Sequence, residues 1–306
     1  MQEGSRKAII AAFFANLGIA IAKFTGFLIT RSAGLLAESG HSLADTGNQA
    51  LLLLGSKRAK RPADRAHPFG YGPERYFWAF VVALVLFSMG GLFALYEGIA
   101  KLRNPHVVDK AAVAFVILIV AIGLETFSLR TAIKEANHVR PPGTSWVTFI
   151  RTTKSPELPV VLLEDIGAEV GLIFALAGLT LAEVTGNPRW DAVGSVVIGV
   201  LLVVIAIVLA AEMKPLLIGE AASDSDLELI TSALGSSANV NSIINLRTMH
   251  LGPDNLLVAA KVDFDHSLSM EQLAQAINGV EVALRAAVPK ATSIYIEPDI
   301  HRQPVT

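Results

Sequence analysis

Apolar residues fall into six blocks, each long enough for the roughly 20 helical residues that cross a bilayer. They lie near 7–30, 33–56, 76–99, 111–131, 159–183 and 190–213. After residue 214 the pattern changes. Ser223–Leu234 is polar and led by acids, which favours a helix whose Ser and Asp sit at its positive end. Ile243–Leu251 and Leu256–Phe264 alternate around Gly252-Pro253-Asp254-Asn255, a hairpin signal. Ser269–Ala287 has a helical pattern capped by Ser269, and Ser293–Ile296 ends as a short strand. The pattern predicts an all-α membrane domain of six transmembrane helices over residues 1–214. A small cytoplasmic α+β domain, in the order αββαβ, is predicted over residues 215–306.

Composition agrees. Of 306 residues 52% are hydrophobic and 17% charged, against roughly 25% charged in soluble domains. There is no Cys, which excludes a disulfide scaffold, and the balance of charge argues against a nucleic-acid partner. Residues 1–214 hold 20 Lys/Arg and 16 Asp/Glu, whereas residues 215–306 hold 5 and 11. Basic residues also separate the loops by side. One side carries Arg6, Lys7, Lys57, Arg58, Lys60, Arg61, Arg65, Arg75, Lys134, Arg140, Arg151, Lys154 and Lys214; the other carries Arg31, Lys101, Arg103, Lys110 and Arg189. Both termini are therefore expected in the cytoplasm. The first block has no A-x-A-like cleavage site behind it and reads as a span. Its start lacks the Ser and Arg of a transit peptide, which favours a bacterial inner (plasma) membrane.

A charge at bilayer depth is expensive and asks for a reason. The second block, LLAESGHSLADTGNQALLLLG, holds Glu38, His41, Asp45, Asn48 and Gln49. His41 and Asp45 are four apart and share a helix face, with Glu38 and Asn48 extending the stripe. Imidazole and carboxylate on adjacent turns suit a first-row divalent cation. The fifth block, PVVLLEDIGAEVGL, places Asp165 and Glu169 four apart, with Glu164 on another face. Two ligands from each of two helices would close a tetrahedral site, and Gly167, Ala168 and Gly171 would let the helices approach. The plainer alternative is that these groups bond helix to helix. For the lone groups Asn16, Lys23, Glu97 and Glu125 that alternative, or a snorkelling side chain, is preferred.

The run AESGHSLADTGNQ, the loop HPFGYGPERYFWAF and the LLED run together resemble the cation diffusion facilitator family, over nearly the whole chain. The resemblance implies a homodimeric exporter of zinc or a similar metal driven by proton exchange, with a metallochaperone-like tail. The family's helix-2 pattern, His or Asp then Asp four on, is met by His41 and Asp45. In helix 5 it has His then Asp; Asp165 matches the Asp, but Val161 stands four before it. The chain thus resembles a branch with LLED in the fifth helix, in which Glu164 or Glu169 supplies the fourth ligand. A secondary loop site, Asp-x-x-His followed by His, is matched by Asp64 and His67 but has Tyr71 at its last position, so weak or no metal is expected and Gly70, Gly72 and Pro73 fix a turn. In the tail, Ile244 and Lys261 stand where some members have His, with Glu297 and Asp299 near the last pair. His250, His266 and His301 are expected to be solvated surface residues.

Ligands must be deprotonated, so binding releases protons, and His41 is the natural exchanging group. The expected function is proton-coupled export of Zn²⁺, or of Mn²⁺, Fe²⁺ or Co²⁺, by alternating access, with the metal as cargo and no cofactor. An enzyme would want an HExxH-like helix, which is missing. A non-transporting metal sensor or scaffold is the remaining alternative.

Overall fold

A computed structural model describes the backbone of residues 3–301 and the side chains of Phe13 and of residues 16–301. The basic pair Arg6 and Lys7 lies outside those side chains. The chain divides into two compact units, Met1–Ser56 with Phe77–Lys214, and Lys57–Tyr76 with Pro215–Thr306.

The first unit is helical. Helix α1 covers Glu3–Thr30 and α2 Ala33–Ala59; the turn between them is two residues, with Arg31 in the left-handed region at φ 58°. The third apolar block is one long helical run in three pieces: α3 (Glu74–Val85), a π-helical stretch (Leu86–Leu92) and α4 (Phe93–Arg103). Helix α5 covers Ala111–Val139, and a seven-residue helix α6 (Trp146–Thr152), absent from the sequence expectation, precedes α7 (Glu157–Thr185). Helix α8 runs from Arg189 to Ile218. Glu74–Arg103, Ala111–Val139 and Arg189–Ile218 are long and apolar enough to cross a membrane by those measures alone. Helices α2 and α7 match them in length but are interrupted by the polar groups considered below.

Helix α4 packs on α8 with almost no side chain between backbones. A Cβ at Gly98 would lie 2.8 Å from the Val196 amide nitrogen, and one at Gly199 2.7 Å from that of Leu95. Ser195 adds a bond from its hydroxyl to the Ala94 carbonyl at 3.1 Å. Small residues at such crossings are how helices associate in lipid, where no hydrophobic drive brings them together.

The second unit contains α9 (Asp224–Gly235), β1 (Val240–Gly252), β2 (Asn255–Phe264), α10 (Met270–Ala287) and β3 (Ala291–Pro298), the expected αββαβ order. β1 and β2 pair antiparallel and β2 and β3 parallel, in the order β1-β2-β3. Every second residue of β2 is buried: Leu256, Val258, Ala260, Val262 and Phe264 meet Ile230 and Leu234 of α9 and Val280 and Leu284 of α10. Ser269 caps α10 in a capping box with Gln272. In the same unit Gly72 approaches the hairpin so closely that a Cβ would lie 2.1 Å from the Leu251 carbonyl oxygen, and Arg75 pairs with Asp254 at 2.9 Å.

His266 and His301 are exposed, as expected. His250 is not: it is 3% exposed, with Nδ1 3.4 Å from the Gly252 carbonyl oxygen. Its place near the end of β1, where the hairpin turns inward, overrides the polarity of the ring.

Candidate metal centre

The polar stripe of α2 forms as its spacing requires. Glu38, His41 and Asn48 are fully enclosed and Asp45 is 8% exposed. His41 Nε2 lies 3.4 Å from Asp45 Oδ2, one helical turn away. Asp45 is within electrostatic reach of Glu164, Glu125, Lys23 and Asp165.

Helix α7 presents its three carboxylates in two directions. Glu164 is buried and accepts a 2.5 Å hydrogen bond from Asn48 Nδ2, so it faces α2. Asp165 accepts from Ser128 at 3.0 Å and Glu169 from Thr126 at 2.8 Å, both on α5. Asp165 and Glu169 do share a helix face, but α5 holds it. Among the described residues no three His, Cys, Asp or Glu side chains converge closely enough to hold an ion.

Several buried polar atoms here have no hydrogen-bond partner: both ring nitrogens of His41, Asp45 Oδ1, Asn48 Oδ1, Gln49 Oε1, Glu38 Oε1 and Glu169 Oε2. Nearly all buried polar atoms in folded proteins are bonded, and each exception needs an explanation. Here the exceptions collect along one stripe of one helix and on a helix facing it. Within this set His41 and Asp45, one helical turn apart, are the pair whose open positions suit a divalent cation.

Lys23 and Glu125, read as lone groups, belong together. Lys23 Nζ donates to Glu38 Oε2 at 3.1 Å and to Ser42 Oγ at 2.8 Å, and Glu125 Oε1 lies 3.8 Å away. A second buried cluster escaped the sequence reading altogether. Asp191, at the start of α8, accepts from Ser32 Oγ, the Ala33 amide and Lys101 Nζ, each at 2.8 Å. Lys101 also donates to the Arg31 carbonyl at 3.0 Å. It is 2% exposed, not the loop charge its position suggested. Asp191 one residue inside a predicted helix was the only available signal, and a first-turn acid is ordinarily a dipole effect.

The loop after α2 is closed on itself. Asp64 accepts from Tyr71 Oη at 2.7 Å and from the His67 and Ala66 amides at 2.7 and 2.9 Å. The Tyr71 hydroxyl, followed by the His67 amide, holds the Asp64 carboxyl below its ordinary range. His67 stacks on Tyr71 with ring centres 4.3 Å apart. In the tail, Lys261 Nζ bridges Glu297 at 2.8 Å and Asp299 at 3.2 Å.

Long apolar helices that bury carboxylates and an imidazole, followed in the chain by a small α+β fold, are the architecture of a multi-pass membrane protein. The cation efflux transmembrane domain matches residues 9–218. The chain belongs to the cation efflux family. The proton-coupled zinc antiporter SLC30A9 of Mus musculus, named as mitochondrial, is 31% identical over 264 residues, 86% of this chain and 47% of that protein. Metal tolerance protein C4 of Arabidopsis thaliana is 30% identical over 268 residues, 87% of this chain and 59% of that one. Cation-efflux pump FieF of Serratia proteamaculans is 26% identical over 300 residues, 97% and 91% respectively. The chain thus spans about half the length of the SLC30A9 proteins it matches. A doubly substituted MamM C-terminal domain aligns with 26% of this chain and 95% of its own at 19% identity and a TM-score of 0.24.

Proposed function

We propose that this protein exports a divalent transition-metal ion, zinc foremost with Mn²⁺, Fe²⁺ and Co²⁺ as alternatives, in exchange for protons. The observation that carries the reading is the set of unbonded, buried polar atoms on His41, Asp45 and Asn48. Antiport of zinc, named for the SLC30A9 relatives, supports it. The proposed ligands are His41, Asp45 and Asp165 with Glu164 or Glu169 completing the set. The sequence leaves Glu164 and Glu169 open, with Glu169 the better partner of Asp165 on a regular helix; Glu164, bonded to Asn48 of α2, is favoured here. Convergence of these groups requires α7 to turn or shift so that Asp165 exchanges Ser128 for the ion.

In the proposed cycle the ion enters from the cytoplasm and displaces protons from the ligands, and protons from the opposite side displace the ion. Residues 1–214 carry transport, and residues 215–306 serve dimerisation and regulation in a homodimer. The membrane proposed is the inner (plasma) membrane, with both termini cytoplasmic. Asp64 and His67 are assigned to loop structure, since the Asp64 oxygens are already engaged. The tail oxygens of Glu297 and Asp299 are likewise engaged by Lys261.

Reconstitution in liposomes with an internal pH dye tests the reading. Zinc added outside should drive a proton flux that His41→Ala and Asp45→Ala each abolish while the protein elutes unchanged on gel filtration. Wild-type flux in either variant refutes it.

A further inference from the structure

Asn48 is fully enclosed on α2, and only one end of its amide is satisfied. Its Nδ2 donates to Glu164 on α7 at 2.5 Å. A carboxylate oxygen accepts and an amide oxygen cannot donate, so the nitrogen is the end that must turn to Glu164. Oδ1 is thereby turned elsewhere, and it has no hydrogen-bond partner. An amide kept only to tie α2 to α7 gains nothing from that open end, which carries the desolvation cost of a buried polar atom.

The neighbours of Asn48 indicate what completes it. Asn48 follows Asp45 by three residues and His41 by seven, so the three share one face of α2 with Asp45 in the middle. Asp45 Oδ2 lies 3.4 Å from His41 Nε2, and Asp45 Oδ1 is also without a hydrogen-bond partner. Open oxygens thus continue past Asp45 for one further turn. Glu164, held by Asn48, lies within electrostatic reach of Asp45.

We propose that Asn48 Oδ1 is a ligand of the transported ion, a fifth donor beside His41, Asp45, Asp165 and one α7 glutamate, and that it fits the site to Mn²⁺ as well as to Zn²⁺. This rests on the cation-transport reading above. The preference follows from the type and number of donors. Zinc sites are typically four-coordinate and draw on His, Cys and carboxylates, whereas amide carbonyls serve harder cations that take more ligands. One imidazole nitrogen among four oxygens is nearer to the second pattern. Asn48 therefore strengthens Mn²⁺ binding more than Zn²⁺ binding, and a side chain that only packs has no such preference.

Calorimetry on the purified full chain in detergent, with Mn²⁺ and Zn²⁺ each as the probe, tests the assignment. Asn48→Leu, close in shape, should weaken Mn²⁺ binding by about tenfold or more, the scale of one lost bond to a charge, and Zn²⁺ binding by less than about threefold. Equal losses for the two metals, or a larger one for Zn²⁺, would assign Asn48 to holding Glu164. No loss for either would leave Oδ1 outside the coordination. Each of these results overturns the proposal. If the Leu variant does not accumulate, Asn48→His decides alone, because it keeps an N–H for Glu164 and puts a nitrogen in place of the oxygen. Preference should then swing towards Zn²⁺ by about tenfold, and an unchanged preference overturns the proposal. Failure of the site reading has a different signature: zinc binding that persists at wild-type strength in His41→Ala and Asp45→Ala, whatever Asn48 does.

Discussion

Replacing Asp191 by Asn is the most direct probe of how the helical unit is held together. The change keeps shape, so it opens no cavity, but it removes the carboxylate bonded to Lys101 and puts an NH₂ beside the ammonium. Asp191 accepts three bonds of 2.8 Å, and one comes from the Ala33 amide at the first turn of α2, where negative charge also meets the helix dipole. Lys101, 2% exposed, would keep the Arg31 carbonyl but no carboxylate among the described residues. Breaking a buried pair by removing one partner costs about 3–5 kcal/mol. At roughly 2–4 °C per kcal/mol for chains of about this size, the unfolding midpoint should fall by roughly 6–20 °C. Fluorescence-detected thermal unfolding in detergent reads this well, because Trp190 adjoins the site. Lys101→Met added to Asp191→Asn should recover more than half of the loss, because it removes the stranded charge. A single-variant loss of under about 1 kcal/mol, or a double variant no more stable than the single, would show that the cluster is not an interlocked buried pair.

Two further tests bear on the site and its loop. If Glu164 is the α7 group that works with α2, Glu164→Gln should weaken zinc binding in detergent more than Glu169→Gln, with Asp165→Asn weakest of the three by calorimetry; the reverse order of the glutamates would assign Glu164 to packing with Asn48. In the loop, Asp64 titrates below its ordinary value because the Tyr71 hydroxyl, then the His67 amide, favour its charged form, so the order it lends is present above the unfolded pKa and is lost as pH falls through the lowered folded one. Tyr71→Phe should move the Asp64 titration, followed by carboxyl NMR shifts, back up towards 3.8, and an unmoved titration would mean the hydroxyl is not the dominant partner.

Much of the fold is written in local pattern. The two-residue break at Arg31-Ser32, the hairpin around Pro253-Asp254 and the capping box at Ser269 each follow from neighbouring residues. The i, i+4 pair on α2 is of the same kind, since a helix puts His41 and Asp45 on one face regardless of what surrounds it. The facing direction of α7 is another matter. Its sequence says that Asp165 and Glu169 point together and that Glu164 points elsewhere, but not which way the helix is rotated. That is set by Ser128 and Thr126, two hydroxyls on α5 that lie 37 and 43 residues away from their partners. The burial of Lys101 likewise depends on Asp191 ninety residues later.

What distinguishes structural from functional charge in such a membrane domain is completeness of bonding, not the presence of charge. The Asp191 cluster and the α2 stripe are both buried and both carry acids. In the first, both Asp191 oxygens have donors and Lys101 has two acceptors, which is the condition under which a buried pair rigidifies a fold. In the second, both nitrogens of His41 and one oxygen of Asp45 are left over, at a cost of roughly 1–3 kcal/mol for each buried unbonded group. A sequence that only needed to hold helices together would have completed those bonds or replaced the groups by Leu. These open positions, and not the mere presence of buried charge, are the reason the α2 stripe rather than the Asp191 cluster is proposed as the place where a cation binds.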